Sequence, residues 1–196
     1  MSKSRNQRSS RRREYLTQDE IEKLLAAAKK TRNPERDYAI LLLAYRHALR
    51  VTEICQLKLS DVNLELAEVY VHRLKGSIAS PHPMFNGETA AIKAWLAKRA
   101  EMDPPETCDT LFISERRRPL VRRTIWVMIR EAAREAGLEH LEIHPHMLRH
   151  STGYRLVNEG VDTRSLQGFM GHASISSTVR YTALDSRRFR GFAKFF

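Results

Sequence analysis

The run Ala39-Ile40-Leu41-Leu42-Leu43-Ala44-Tyr45 is apolar at every position, so a helix that carries it has no polar face to turn to water. Other elements have to wrap it. Asn33-Pro34 supplies its start, because the N–H that proline lacks would be unpaired in a first turn anyway. The pattern therefore predicts a helix through His47 at the centre of a core. The run is far short of the roughly 18 apolar residues that cross a bilayer, and no longer one exists in the chain. No membrane partner is expected.

The remaining elements read off as partners for that helix. Thr17 followed by Glu20 makes a capping box ahead of Ile21, Leu24, Leu25 and Ala28 at helical spacing. Thr52 is predicted to cap a short helix that turns Ile54 and Leu57 inward. Residues 68–74 alternate around Val69, Tyr70 and Val71 as a strand does, and Lys75-Gly76-Ser77 supplies a hairpin turn. Pro81 and Pro83 confine the return strand, 78–85, to a short or edge position. Helical spacing resumes over 88–100, and Leu111-Phe112-Ile113 reads as one more short strand. A helix over 122–136 is expected to bury Ile125, Trp126 and Ile129 and to stop at Gly137. Pro145 opens a helix that Gly160 ends, Asp162 caps another that Gly171 ends, and Ser174 caps a last short helix bearing Tyr181. The fold class is mainly α with a small antiparallel β-sheet, α+β.

Charge points to the partner. Thirty-four Lys and Arg against 23 Asp and Glu give +11, a surplus that suits a polyanion. Lys3, Arg5, Arg8, Arg11, Arg12 and Arg13 precede the first helix with no acid among them, so residues 1–14 read as a disordered, phosphate-tracking arm and 15–196 as one domain. Cys55 and Cys108 lack metal-ligand spacing, and the N-terminus has no apolar leader segment, which points to free thiols in a reducing cytoplasm. A bacterial protein of this kind would lie with the nucleoid.

The chemistry concentrates in the last third. His146, Arg149 and His150 fall at i, i+3 and i+4 on one helix face, a cationic cradle for a phosphate diester rather than a core stripe. Gly171-His172 follows a helix C-terminus, and Tyr181 lies nine residues after His172. His146 and His150 also have the spacing of a zinc pair. Met147 stands where a metalloprotease carries glutamate, however, and no third ligand is suggested, so neither a metal nor a cofactor is expected.

The order Arg50, Lys75, His146-x-x-Arg149, Gly171-His172, Tyr181 resembles the catalytic domain of the tyrosine recombinases, the phage integrase family. The stretches 70–75 and 141–150 look most like the short recombinases that invert fimbrial promoter segments. The resemblance implies a site-specific DNA recombinase that cleaves and rejoins DNA through a covalent 3′-phosphotyrosine, without metal or ATP. It makes Tyr181 the nucleophile, Arg50 and Arg149 the clamp on the scissile phosphate, His146 the proton acceptor, Lys75 the general acid and His172 a hydrogen-bond donor to the phosphate. Glu53 would orient Arg50. His150 is read as a helix histidine that holds its neighbours, outside the site, and His144 as a loop residue or groove contact. The implied partners are double-stranded DNA with inverted-repeat sites, three further copies of the chain in a tetramer on DNA, and DNA-bending accessory proteins; free in solution, a monomer or dimer is expected. Two departures stand out. Only about fifteen residues precede the first helix, where longer relatives carry a separate core-binding domain, and Ala48 occupies a position that is usually glycine. The alternative function is a DNA-binding transcriptional regulator that keeps the fold and not the reaction.

Overall fold

The structure, a computed structural model, describes residues 13–73 and 79–182. Helix α1 (Gln18–Ala28) starts at the expected capping box: Thr17 Oγ1 accepts from the Glu20 N–H, and the Glu20 carboxylate accepts from the Thr17 N–H at 2.7 Å. Helix α2 (Pro34–Arg46) runs through the middle of the protein, with residues 39–45 all buried. It packs against α1, α4 (Glu88–Glu101) and α6 (Pro145–Asn158), which supply the wrapping its apolar circumference demands. Helices α3 (Val51–Gln56) and α5 (Arg122–Glu135) close the same core. Trp95 of α4 fills it and donates its indole N–H to the Leu111 carbonyl at 2.9 Å.

The sheet has three antiparallel strands in the order β1 (Val62–Asn63), β2 (Glu68–Val71), β3 (Ser80–Pro83). Pro81 and Pro83 sit in β3 at the sheet edge, where a strand pairs on one side alone. Strand β2 ends at Val71, earlier than the alternation suggested, and Lys75 on the expected hairpin tip lies outside the described residues.

Three expectations need correction. Arg50, not Thr52, is the N-cap of α3, because the Glu53 carboxylate reaches back to the Arg50 N–H at 2.8 Å and so satisfies a first-turn donor that a hydroxyl would otherwise have taken. Leu111, Phe112 and Ile113 form no strand; they are fully buried between two isolated bridges, Lys58 with Thr110 and Ile113 with Pro119. Their apolarity reflects burial rather than pairing. Trp126 is 39% exposed, and Met128 takes the inward position on α5.

A second, smaller core joins Ala48, Val157, Leu166, Met170 and Tyr181. It lies where α6, α7 (Thr163–Met170) and α8 (Ser176–Thr182) meet. Helix α7 starts at Asp162, whose carboxylate accepts from the Arg164 and Ser165 N–H groups at 2.9 Å, and ends at Gly171 with φ +60°. Among the described residues no helix is long and apolar enough to cross a membrane. Cys55 and Cys108 are free thiols. Because Asp162 is an exposed cap, Asp162→Ala should lower the unfolding free energy by about 1 kcal/mol, visible as a lower urea midpoint at unchanged slope.

Candidate active site

A helix ends with carbonyls that have no partner in the next turn, and these carry a partial negative charge. At the end of α7 three successive carbonyls each take a guanidinium. Arg73 Nη2 donates to the Phe169 carbonyl at 2.5 Å, Arg149 Nη2 to Met170 at 2.5 Å, and Arg50 Nη2 to Gly171 at 3.4 Å. These arginines come from the end of β2, the middle of α6 and the cap of α3, so the helix end gathers three distant parts of the chain. Arg149 also donates to the Ala48 carbonyl, and Arg73 reaches the same carbonyl at 3.5 Å. Gly171 belongs at this turn for two reasons: its φ is left-handed, and a Cβ there would stand 2.6 Å from Arg73 Cγ.

Three cations this close need an anion, and Glu53 supplies it. Its carboxylate accepts from Arg50 Nη1 at 2.6 Å and from Arg73 Nη1 at 3.0 Å. Burial would raise the Glu53 pKa, but the Arg73 charge and the hydrogen bonds from Arg50 outweigh burial and hold it below the ordinary carboxylate range. Burial, with Arg50 and Arg73 nearby, pulls Arg149 down to about 9, still charged at neutral pH. His82, whose ring abuts Arg73, is driven to about 3 by burial and then by that charge, so it stays neutral. Glu53 thus meets both the side chain and the backbone N–H of Arg50. Arg73 was unremarked in the sequence, where it reads as one more strand residue.

Helix α8 adds Tyr181 to this cluster. Its ring is 1% exposed and packs on Gly153, where a Cβ would lie 2.8 Å from the ring. Tyr154 meets it edge-on at 5.2 Å, and the His172 ring lies parallel to it at 6.2 Å. The hydroxyl is 2.9 Å from Nδ1 of His150. Burial raises the Tyr181 pKa while Arg149, Arg180 and Arg50 pull against it, so the phenol is protonated at rest with both clamp arginines in electrostatic reach.

His172 lies 2.8 Å, Nδ1 to Oγ1, from Thr178. Burial, then Arg149, Arg50 and Arg73, lower its pKa to about 4, so the ring is neutral. In the tautomer where the Thr178 hydroxyl donates to Nδ1, the proton sits on Nε2, the atom left to donate to a ligand. His146 is exposed. Its pKa is lowered by burial and then by the charges of His144, Arg149, Arg50 and Arg122. Its ring lies 6.3 Å from that of His150 and 6.4 Å from that of His144. His144, left outside the site in the sequence, precedes α6 and stacks at 5.7 Å on Trp126, which had been expected in the core.

The structure thus brings together Arg50, Glu53, His146, Arg149, His172 and Tyr181. Lys75 and the arm residues Arg5, Arg8, Arg11 and Arg12 lie outside the described residues. Arg13 is described, and pairs with Glu20 at 2.6 Å rather than standing free. Ala48, where glycine was expected by resemblance, has φ +50°, a left-handed conformation that explains why glycine suits the position. His150, left out of the site on sequence grounds, touches the phenol. Its sequence signal was its place one helical turn after His146.

The phage integrase family model matches residues 14–188. The type 1 fimbriae regulatory protein FimB of Escherichia coli strain K12 is 42% identical over 187 residues, covering 95% of this chain and 92% of that protein. FimE of the same strain is 39% identical over 92% of this chain and 90% of its own length. The chain belongs to the phage integrase family. Among solved structures, the XerA recombinase superposes with a TM-score of 0.78 at 34% identity, over 92% of this chain and 64% of that one. The XerH site-specific recombinase in a post-cleavage complex with its difH substrate gives 0.75 at 26% identity, over 91% of this chain and 52% of that one. The recombinase described here therefore spans half to two thirds of those solved chains, and nearly the full length of its fimbrial relatives. As a tyrosine recombinase it is a site-specific, DNA-recombining enzyme, and DNA is its partner.

Gly153 makes the seat of the phenol testable. Gly153→Ala should leave DNA affinity intact in a gel-shift titration while cleavage falls by about 100-fold, the scale of loss for a reacting group misplaced by 1 Å.

Proposed function

We propose that this recombinase cuts and rejoins DNA through a 3′-phosphotyrosine on Tyr181 and inverts a promoter-bearing segment between inverted repeats. The observation that carries the reading is the convergence of one phenol, two clamp guanidiniums and a neutral histidine donor on the end of α7, all within one chain. Arg50 and Arg149 neutralise the non-bridging oxygens of the phosphorane-like transition state, work that two forked guanidiniums do without a metal ion. They are held before DNA arrives, so little reorganisation is needed when charge develops. His172 Nε2–H donates to the same phosphate, and His146 lines its guanidinium side.

A phenol at pH 7 is only about one part in a thousand phenolate, so Tyr181 needs both a proton acceptor and this cationic surrounding. The departing 5′ oxygen takes its proton from the Lys75 ammonium, the general acid that the resemblance implies. The covalent link stores the energy of the broken diester. A 5′ hydroxyl from another strand therefore reverses the step without ATP.

Residues 15–196 act as the catalytic domain and residues 1–14 as an arm along the phosphates. Arg122, Arg123 and Arg130 on the exposed side of α5 extend the basic surface beside the site. Inversion joins two sites, so four copies assemble on DNA, from a free monomer or dimer. DNA-bending proteins help to bring the sites together. The enzyme does this on the bacterial nucleoid, in the cytoplasm. The fimbrial relatives, matched over nearly their whole length, favour inversion over other outcomes.

Incubated with a duplex carrying its inverted repeat, the protein should yield a DNA adduct that survives denaturant and EDTA and that Tyr181→Phe abolishes. A protein that binds this duplex and never cuts it would instead be the regulator that shares the fold. Lys75→Ala should lose cleavage of ordinary DNA and recover it when the bridging 5′ oxygen is replaced by sulfur, because a thiolate departs without a proton; the adduct rate on the two substrates is the measurement.

A further inference from the structure

The cleavage step needs somewhere to send the phenol proton, and the family resemblance points to His146. The geometry points elsewhere. We infer that His150 takes the proton of Tyr181 during cleavage and returns it during rejoining, an inference that rests on the reading of Tyr181 as the nucleophile.

Nδ1 of His150 is 2.9 Å from the Tyr181 hydroxyl, within the range for direct transfer. Among the described residues His146 makes no such contact with the phenol; its ring neighbours are His144 and His150. Helix α6 also fixes the pair. Arg149, the residue before His150, is pinned by the Ala48 and Met170 carbonyls, while Gly153 and Tyr154 on the following turn form the seat and edge of the phenol ring. One stretch of α6 therefore carries a phosphate ligand, the acceptor and the nucleophile's seat in mutual register.

The direction of the hydrogen bond follows from what each group can do. A phenol donates and a neutral imidazole accepts, so the His150 proton sits on Nε2. His150 is neutral at rest: burial, then Arg180, lower its pKa to about 4, with His146 and Arg149 adding to the effect and Glu14 opposing it. Transfer is uphill in the empty cavity, which keeps the phenol from ionising without a substrate. A phosphodiester bound by Arg50 and Arg149 places a negative charge beside the ring and favours the imidazolium. In the step itself the Tyr181 O–H bond breaks and its proton goes to Nδ1, and the oxygen's electron pair forms the bond to phosphorus. The bond from phosphorus to the 5′ oxygen breaks, and that oxygen leaves with the electron pair and takes a proton from Lys75. Rejoining runs the same transfers backwards.

The experiment uses the full chain and a nicked duplex on which the unaltered protein accumulates the covalent adduct. His150→Ala should slow adduct formation by about 100-fold, the scale of a lost proton acceptor, with gel-shift affinity unchanged. Imidazole added to the reaction should restore a large part of that rate. His150→Asn, whose side chain can still hydrogen-bond the phenol but cannot take its proton, should be as slow as His150→Ala, which separates proton transfer from mere positioning. Either variant cutting at the unaltered rate, or a slow His150→Ala that imidazole leaves slow, overturns the inference and leaves Tyr181 as nucleophile untouched. An adduct that persists in Tyr181→Phe, or none from the unaltered protein, overturns the reading of Tyr181 and this inference with it.

Discussion

The end of one eight-residue helix holds this site together. Helix α7 offers three carbonyls that its own hydrogen-bond ladder cannot use, and Arg73, Arg149 and Arg50 take them one after another. Each contact relieves an unsatisfied acceptor and places a cation at the negative pole of the helix, worth on the order of 1 kcal/mol, up to about 2 when partly buried. Mutual repulsion would scatter three guanidiniums in water. Here the helix end and the Glu53 carboxylate offset it.

Arg73 is the quiet member of this group. Its side chain is fully buried and bridges Glu53, the His47 carbonyl and the end of α7. Because Arg73 follows the end of β2 by two residues, its side chain ties that strand to Glu53 and to the end of α7. Removing one partner of a buried ion pair strands the other, at a cost of about 3–5 kcal/mol, so Arg73 and Glu53 are as much part of the fold as of the site.

The phenol is placed by a different force. Tyr181 belongs to a small apolar core with Ala48, Val157, Leu166 and Met170, and only its hydroxyl meets polar groups. Packing therefore sets the ring and electrostatics set the cavity, and Ala48 joins the two: its methyl lies in that core while its carbonyl accepts from Arg149. A left-handed turn at Ala48 is what lets one residue serve both. In the resting protein the phenol is protonated, screened from water and held against a neutral imidazole.

Local pattern was enough for most elements. The capping box at Thr17, the proline at the start of α2, the Asp162 cap and the Gly171 stop are written in neighbouring residues, and the structure keeps them. It failed where a long-range partner overrode it, as when the Glu53 carboxylate made Arg50 the cap of α3, or when burial on every side made Leu111, Phe112 and Ile113 look like a strand. The sequence by itself determined which residue types a phosphate cutter would use and their order along the chain, because spacing on a helix and the chemistry of each side chain are local properties. Only the tertiary structure decided that Arg73 belongs among the guanidiniums and that His150, rather than His146, meets the phenol. Those facts depend on which carbonyls a helix end leaves open and on which face of α6 another helix covers, and no local pattern encodes either.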